Sequence, residues 1–216
     1  MARNTKEKAL ETRERILDAA EDVFYNKGVS NTSLNDVAQA AGVTRGAIYW
    51  HFTNKADLFD AMCSRIRLPM RKMIEDMADE KTSDPLGQLS KGCAFVMQQV
   101  VKNPHYHKIL TILFHKCEYL DATDPILIYQ KNWLVHGIDT VQRVLENAKT
   151  KRQVPADLDI HLASILLHIT FDGLLNSWLF MPDSFNLMET AASIHQTVLD
   201  SLRTNSALRM KPTSAT

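Results

Sequence analysis

The chain has 216 residues, 25 basic and 25 acidic side chains, 45% hydrophobic and 23% charged residues, and seven glycines and seven prolines. That apolar share builds a core in one large domain or in a small domain joined to a larger one, and the scarcity of Gly and Pro excludes collagen-like, low-complexity and wholly disordered chains. Zero net charge carries no argument for nucleic acid, so distribution decides: Arg3, Lys6 and Lys8 open the chain, Arg45, His51 and Lys55 share an acid-free stretch, and Asp18, Glu21 and Asp22 gather between them.

The opening MARNTKEKALETRERIL is charged throughout and lacks the apolar stretch of a secretory signal, which points to the cytoplasm. Residues 1–8 read as a flexible arm. A first helix follows from Lys8 to Asn26, where Ile16, Ala19, Ala20, Val23 and Phe24 recur at three and four spacing as one apolar stripe. Gly28 ends it where a left-handed residue is needed. Ser33 with Asp36 forms a capping box for a short second helix with Leu34, Val37, Ala38 and Ala41 inward, stopped by Gly42. Thr44 caps a third helix, Arg45–Phe52, too short to stand alone and dependent on packing Ile48 and Phe52. Asn54 and Asp57 open a longer helix carrying Leu58, Phe59, Met62 and Ile66, which Pro69 kinks or breaks.

Beyond it, breakers at Ser83-Asp84-Pro85, Asn103-Pro104, Asp124-Pro125, Pro155 and Met181-Pro182 separate helix-like runs, with no alternating strand pattern and no internal repeat. The expected fold is all-α, with an N-terminal three-helix domain over 1–54 and a larger helical domain over 55–216. The most apolar window, Ala163–Met181, is interrupted by His168, Asp172 and Asn176 and reads as a buried protein helix, not a membrane span. Cys63, Cys93 and Cys117 form no CxxC pair and are odd in number, which fits reduced, inert thiols.

Residues 33–52, SLNDVAQAAGVTRGAIYWHF, have the order of a helix-turn-helix: a helix, a Gly-containing turn and a second helix opened by a hydroxyl cap. That second helix places Arg45, Tyr49, Trp50 and His51 within two turns, and only part of this set can point inward with Ile48 and Phe52. Gly46 lets the backbone approach a surface, and the helix N-terminus offers amide donors to a phosphate. Arg45 suits bidentate reading of guanine, Tyr49, His51 and Lys55 suit phosphate oxygens, and Trp50 suits sugar or base methyl. The set expected at double-stranded DNA is therefore Ser33, Thr44, Arg45, Gly46, Tyr49, Trp50, His51 and Lys55, with Arg3 and Lys6 either a plain tail or an arm along the minor groove.

Residues 12–59, above all AGVTRGAIYWHFTNKADLF, closely resemble the DNA-binding domain of the TetR family of bacterial repressors. ILFHKCE at 112–118, Pro155-Ala156-Asp157-Leu158, Asp172-Gly173-Leu174 and Trp178-Leu179 resemble its AcrR and TtgR branch, which represses multidrug efflux pumps. The resemblance implies a three-helix reading head, a helical ligand domain, and a homodimer through the last two helices, about Leu158–Phe180 and Met188–Leu202, that leaves a palindromic operator when a drug-like inducer binds. In the implied mechanism one dimer state sets the reading helices about 34 Å apart, and a ligand preferring the other state tilts the connecting helix.

A drug pocket is an apolar cavity with few orienting polar groups. Val96, Leu110, Phe114, Trp133, Gly137, Ile138, Val141, Phe171 and Leu175, with Ile66 and Met70 from the connecting helix, are the candidate lining, each equally suited to the core, and about half of them are expected to touch ligand. Asp172 is the most informative, because a carboxylate in so apolar a window is costly unless paired or used by a ligand, and His168 four residues earlier is its natural partner. Arg65, Arg67 and Arg71 stand where this branch often carries acidic or amide groups, which argues against a purely cation-selective pocket and leaves anionic or phenolic inducers open. His105, His107, His115 and Cys117 match no standard zinc spacing, and no phosphate loop, nucleophile elbow or HExxH occurs, so neither a metal, a cofactor nor an enzyme is expected. Two other readings remain: a constitutive DNA-binding protein with a filled C-terminal core, and a protein-interaction module exposing an apolar patch beyond the dimer seam.

Overall fold

The computed structural model describes residues 2–119, 121–122 and 124–210, with the side chains at 2–5, 71 and 183 outside that description; the expectations for Arg3 and Arg71 fall there. The architecture is all-α, and no strand occurs among the described residues. Helix α1 spans Ala2–Lys27, α2 Leu34–Ala40, α3 Arg45–His51, α4 Lys55–Met77, α5 Pro85–Lys102, α6 Pro104–His115, α7 Pro125–Thr150, α8 Ile160–Phe180 and α9 Leu187–Thr204. Pro182–Ser184 and Ser206–Leu208 are single 3-10 turns.

Prolines mark helix starts as much as helix ends. Pro85, Pro104 and Pro125 are the first residues of α5, α6 and α7, where the missing N–H would have had no intrahelical partner. Asn103 caps α6 by accepting from the His105 N–H, and Asp159 caps α8 by accepting from Leu162.

Two expectations are corrected. Helix α1 begins at Ala2, so its first turns replace the flexible arm; Lys6, Glu7, Lys8, Ala9, Leu10 and Glu11 are all strong helix formers. Helix α4 runs through Pro69 to Met77. An interior proline costs about 3 kcal/mol by removing one donor and crowding the turn before it. Here Pro69 is exposed and is followed by the helix-favouring run Met70–Met77, which sustains the helix beyond it.

The chain forms two compact units, Met1–Pro69 with Asn103–Lys131, and Met70–Lys102 with Asn132–Thr216. Within the first, α1 packs on α2 and α6, and α2 packs on α3. Ile16, Leu17, Phe24, Ile48, Phe52, Leu58, Phe59 and Met62 are withdrawn from water, each contributing about 1.5–3 kcal/mol. The Phe24 and Phe59 rings meet at a tilt, 6.2 Å between centroids. In the second unit α5 and α8 both pack on α9, around Leu86, Leu89, Val144, Leu145, Ala163, Leu167, Val198, Leu199 and Leu202.

Helix α8 is the one described helix long and apolar enough to cross a membrane, yet only 33% of its most apolar stretch is buried within the chain. The expectation of a buried core helix therefore holds for one face alone, that of Ala163, Ser164, Leu167, His168, Leu175 and Leu179. Leu162, Ile169 and Phe180 stand 41%, 55% and 73% exposed on the other.

Candidate functional site

The presentation of α3 begins two turns earlier in sequence. Ser33 accepts from the Asp36 N–H at 3.2 Å, while its own N–H and hydroxyl donate to Asp36 Oδ2 at 2.9 and 2.5 Å, closing the capping box. The Ser33 hydroxyl and N–H, with Lys27 beyond them, hold the Asp36 carboxyl well below the usual carboxylate range. Gly42 then takes φ +63°, a conformation that strains any side chain, and Arg15 Nη2 on α1 donates to the Ala41 carbonyl at 2.7 Å, fastening the turn. Thr44 accepts from the Ala47 N–H at 3.1 Å and starts α3.

This geometry divides the faces of α3. Ile48 and Phe52 are buried, with the Arg13 guanidinium over the Phe52 ring. Arg45, Gly46, Tyr49 and Trp50 face outward, Tyr49 at 48% and Trp50 at 73% exposure, so packing within the chain does not account for either ring. The Arg45 guanidinium lies 5.7 Å from the centre of the Tyr49 ring. A Cβ at Gly46 would meet only Thr44 Oγ1 at 3.9 Å, leaving the helix start open to a surface. Partial burial and the nearby Arg13 hold the half-buried His51 below its ordinary pKa, so near neutral pH it offers an uncharged ring.

Lys55 is committed differently from Arg45. Its ammonium donates to the Val29 carbonyl at 2.7 Å and the Ser30 carbonyl at 3.2 Å, and burial lowers its pKa. The same turn is held from its other side, where the Val29 N–H donates to the Lys116 carbonyl at 2.8 Å and Ser30 Oγ to the Glu118 carbonyl at 2.6 Å. Lys6 is exposed on α1.

Two arginines of α4, Arg65 and Arg67, are already partnered. Arg65 Nη1 binds Asp18 Oδ1 at 2.7 Å and Glu21 Oε1 at 2.6 Å, and Nη2 binds Glu14 Oε2 at 2.6 Å. Arg67 reaches Asp60 Oδ1 at 3.1 Å and Ser64 Oγ at 2.7 Å, with its guanidinium against the Tyr129 ring. With both charges balanced locally, the argument for anionic or phenolic inducers from these two residues loses its footing. Asp18, Glu21 and His105 are the one convergence of three metal-type donors among the described residues, and Arg65 already supplies positive charge to both carboxylates.

The expected ligand-contacting residues divide between the units. Ile66 and Leu110 are buried and Phe114 half-buried in the first. In the second, Val96 and Leu175 are buried, while Met70, Trp133, Ile138, Val141 and Phe171 are half-buried. Gly137, His168 and Asp172 are brought together. A Cβ at Gly137 would lie 2.4 Å from His168 Cε1, so the imidazole rests directly on the α7 backbone. His168 Nε2 is 3.2 Å from Asp172 Oδ2, off the hydrogen-bond direction, so the pair is in contact but incompletely satisfied. Burial raises all three thiols, Cys93 and Cys117 to about 12.

Residues 16–62 match the family described as Bacterial regulatory proteins, tetR family, and residues 84–204 match MAATS-type transcriptional repressor, C-terminal region. The chain is 38% identical over 209 residues to the HTH-type transcriptional regulator TtgR of Pseudomonas putida, covering 97% of this chain and 100% of that one. The chain belongs to the TetR family. Among solved structures, this TetR-family regulator is similar to NalD, the secondary repressor of the MexAB-OprM multidrug efflux pump in Pseudomonas aeruginosa, with a TM-score of 0.81, 34% identity, and 92% and 99% of the two chains covered. It is similar also to SmeT of Stenotrophomonas maltophilia in complex with triclosan, with a TM-score of 0.82, 26% identity, and 94% and 96% covered. The family and these relatives are transcriptional regulators, not enzymes.

Sequence reasoning passed over Glu21 as one of a group of acids, and Arg15 altogether. A signal for Glu21 was present: it follows Leu17 by four and precedes Phe24 by three, which places a carboxylate on the buried stripe of α1.

Proposed function

We propose that this TetR-family regulator is a cytoplasmic, homodimeric repressor of a multidrug efflux operon, released from a palindromic operator by small aromatic or amphipathic compounds. The observation that carries the reading is the outward surface of Arg45, Tyr49 and Trp50 on a helix whose start, turn and inner face are each separately fastened. Arg45 reads base edges, and Tyr49, Trp50, His51 and the start of α3 at Thr44 and Gly46 meet backbone and sugar. Ser33, Lys55 and Lys6 lie at the margin of the reading head, which occupies residues 1–54. Efflux repression is supported by relatives such as NalD, and a drug-like inducer by SmeT with triclosan.

The outward stripe of α8, exposed except at the half-buried Leu166, which also packs on the core of the second unit, supports the homodimer. Leu162, Leu166, Ile169, Gly173, Asn176 and Phe180 follow one another at steps of four, three, four, three and four, the seam of a helix that packs on another helix. Gly173 has open space where a Cβ would stand, which permits close approach. Two-fold pairing through α8 and α9 matches the symmetry of a palindromic site. The His168–Asp172 pair, buried on one side and incompletely satisfied, supplies the polar anchor for a ligand carrying a hydroxyl or amine.

The test is binding to duplex DNA from the upstream intergenic region across a salt series, with and without triclosan, aromatic cations, phenols and bile-acid-like amphiphiles. Specific binding weakened by one class of compound is the expected result. Binding that none of them perturbs favours a constitutive DNA-binding protein, and salt-sensitive binding without sequence preference overturns the operator reading for that region. Asp172→Ala is expected to preserve operator affinity and to shift the response to hydrogen-bonding compounds; an unchanged response makes Asp172 structural.

A further inference from the structure

Glu21 is the buried carboxylate among the described acids, with 2% of its side chain exposed, and its two oxygens serve different helices. Oε1 accepts from Arg65 Nη1 of α4 at 2.6 Å, and Oε2 meets His105 Nδ1, in the first turn of α6, at 2.7 Å. A second tie between α6 and α1, Lys108 to Asp22, lies about one turn further along α6 and at the next residue of α1. Helix α1 in turn holds the turn before α3 through Arg15 and the Ala41 carbonyl. A buried carboxylate requires both oxygens to be paired, so the two arms of Glu21 depend on each other. Neither arm is a local contact: 44 residues separate Glu21 from Arg65 and 84 separate it from His105.

We propose that His105 is a positioning residue for operator binding: through Glu21 and Arg65 it makes the attitude of α1 and α4, and with them the reading head, depend on the place of α6. His105 touches no DNA in this scheme and acts only through the shared carboxylate. An extension, that a compound displacing α6 is felt at α3 along this path, rests on the inducible reading above; the operator effect does not.

The experiment uses the full chain and a high-affinity duplex selected from a random library, with the active fraction measured by stoichiometric titration. The His105 side chain is 55% exposed, so His105→Ala opens no core cavity. The variant is expected to weaken the Kd of active protein by about fivefold, within the span of couplings of this kind. His105→Asn, which keeps an N–H donor near the Nδ1 position, is expected to remain within about twofold of wild type by preserving the bond. In a Glu21→Gln background, if that variant folds, His105→Ala is expected to add little, because the shared carboxylate has already lost its charge. A lowered Tm with an unchanged Kd, or a loss that His105→Asn does not restore, overturns the proposal. In a second arm triclosan is added: His105→Ala is expected to shrink the ratio of operator Kd with and without compound. If triclosan leaves wild type unmoved, the inducible reading loses this probe and the ligand-free arm alone decides the role of His105.

Discussion

Both compact units expose large apolar side chains, but in different company. In the first, Tyr49 and Trp50 stand on a seven-residue helix beside Arg45, with Ile48 on the inner face and caps before and after it. In the second, Leu162, Ile169 and Phe180 run along a twenty-one-residue helix, interspersed with Gly173 and Asn176 and with no charged residue in the stripe. Exposed apolar area by itself names no partner. A short aromatic patch carrying a guanidinium suits a polyanion with flat sugar and base edges, while a long uncharged stripe at heptad steps suits another helix of the same kind.

The contrast is broken most severely at the stripe. In the proposed homodimer Ile169→Asp would place two carboxylates at the two-fold contact, and losing that dimer would remove the second half-site, so operator affinity is expected to fall by about a hundredfold or more. Sedimentation would show a folded monomer, since Ile169 is 55% exposed in the single chain; an intact dimer would move the seam elsewhere. Arg45→Ala is expected to cost about 1–3 kcal/mol of operator binding and to relax sequence preference at one position. Equal affinity and preference on a set of mutated duplexes would remove Arg45 from base reading.

Gly137→Ala sharpens the comparison inside the second unit. Its Cβ would stand 2.4 Å from His168 Cε1, so the ring must turn, at about 1–3 kcal/mol of stability by overpacking. Melting and the compound response should change together, and an unaltered melt would mean that His168 yields freely. Thr44→Ala has the smallest expected effect, about 1 kcal/mol for a lost N-cap, visible as a modest fall in Tm with weaker operator binding.

What was legible in the sequence was local. The Ser33–Asp36 box, the Thr44 cap and the glycines at 28 and 42 declare themselves within three or four residues, because a cap or a left-handed turn needs a particular chemistry at a particular offset. Asn54 likewise accepts from the Asp57 N–H at 2.9 Å, although the Asp57 carboxylate reaches back to Thr53. Pro69 misled because helix propensity on both sides of a proline can outweigh the one bond it removes. The start of α1 misled because a charged run can be helix as readily as tail. The Glu21 node and the seat of His168 on Gly137 were not legible: they join residues far apart in the chain, and nothing at one end announces the other.

The raised thiols have a practical consequence. A thiol titrating near 12 is about one part in a hundred thousand thiolate at pH 7, and thiolate is the form that maleimides, peroxides and electrophilic drugs attack. An ordinary surface cysteine reacts orders of magnitude faster. Asn35→Cys, at an exposed position on α2, would therefore accept a fluorophore or spin label while Cys63, Cys93 and Cys117 stay dark, and the reading head could be tracked by spectroscopy without removing a single native cysteine.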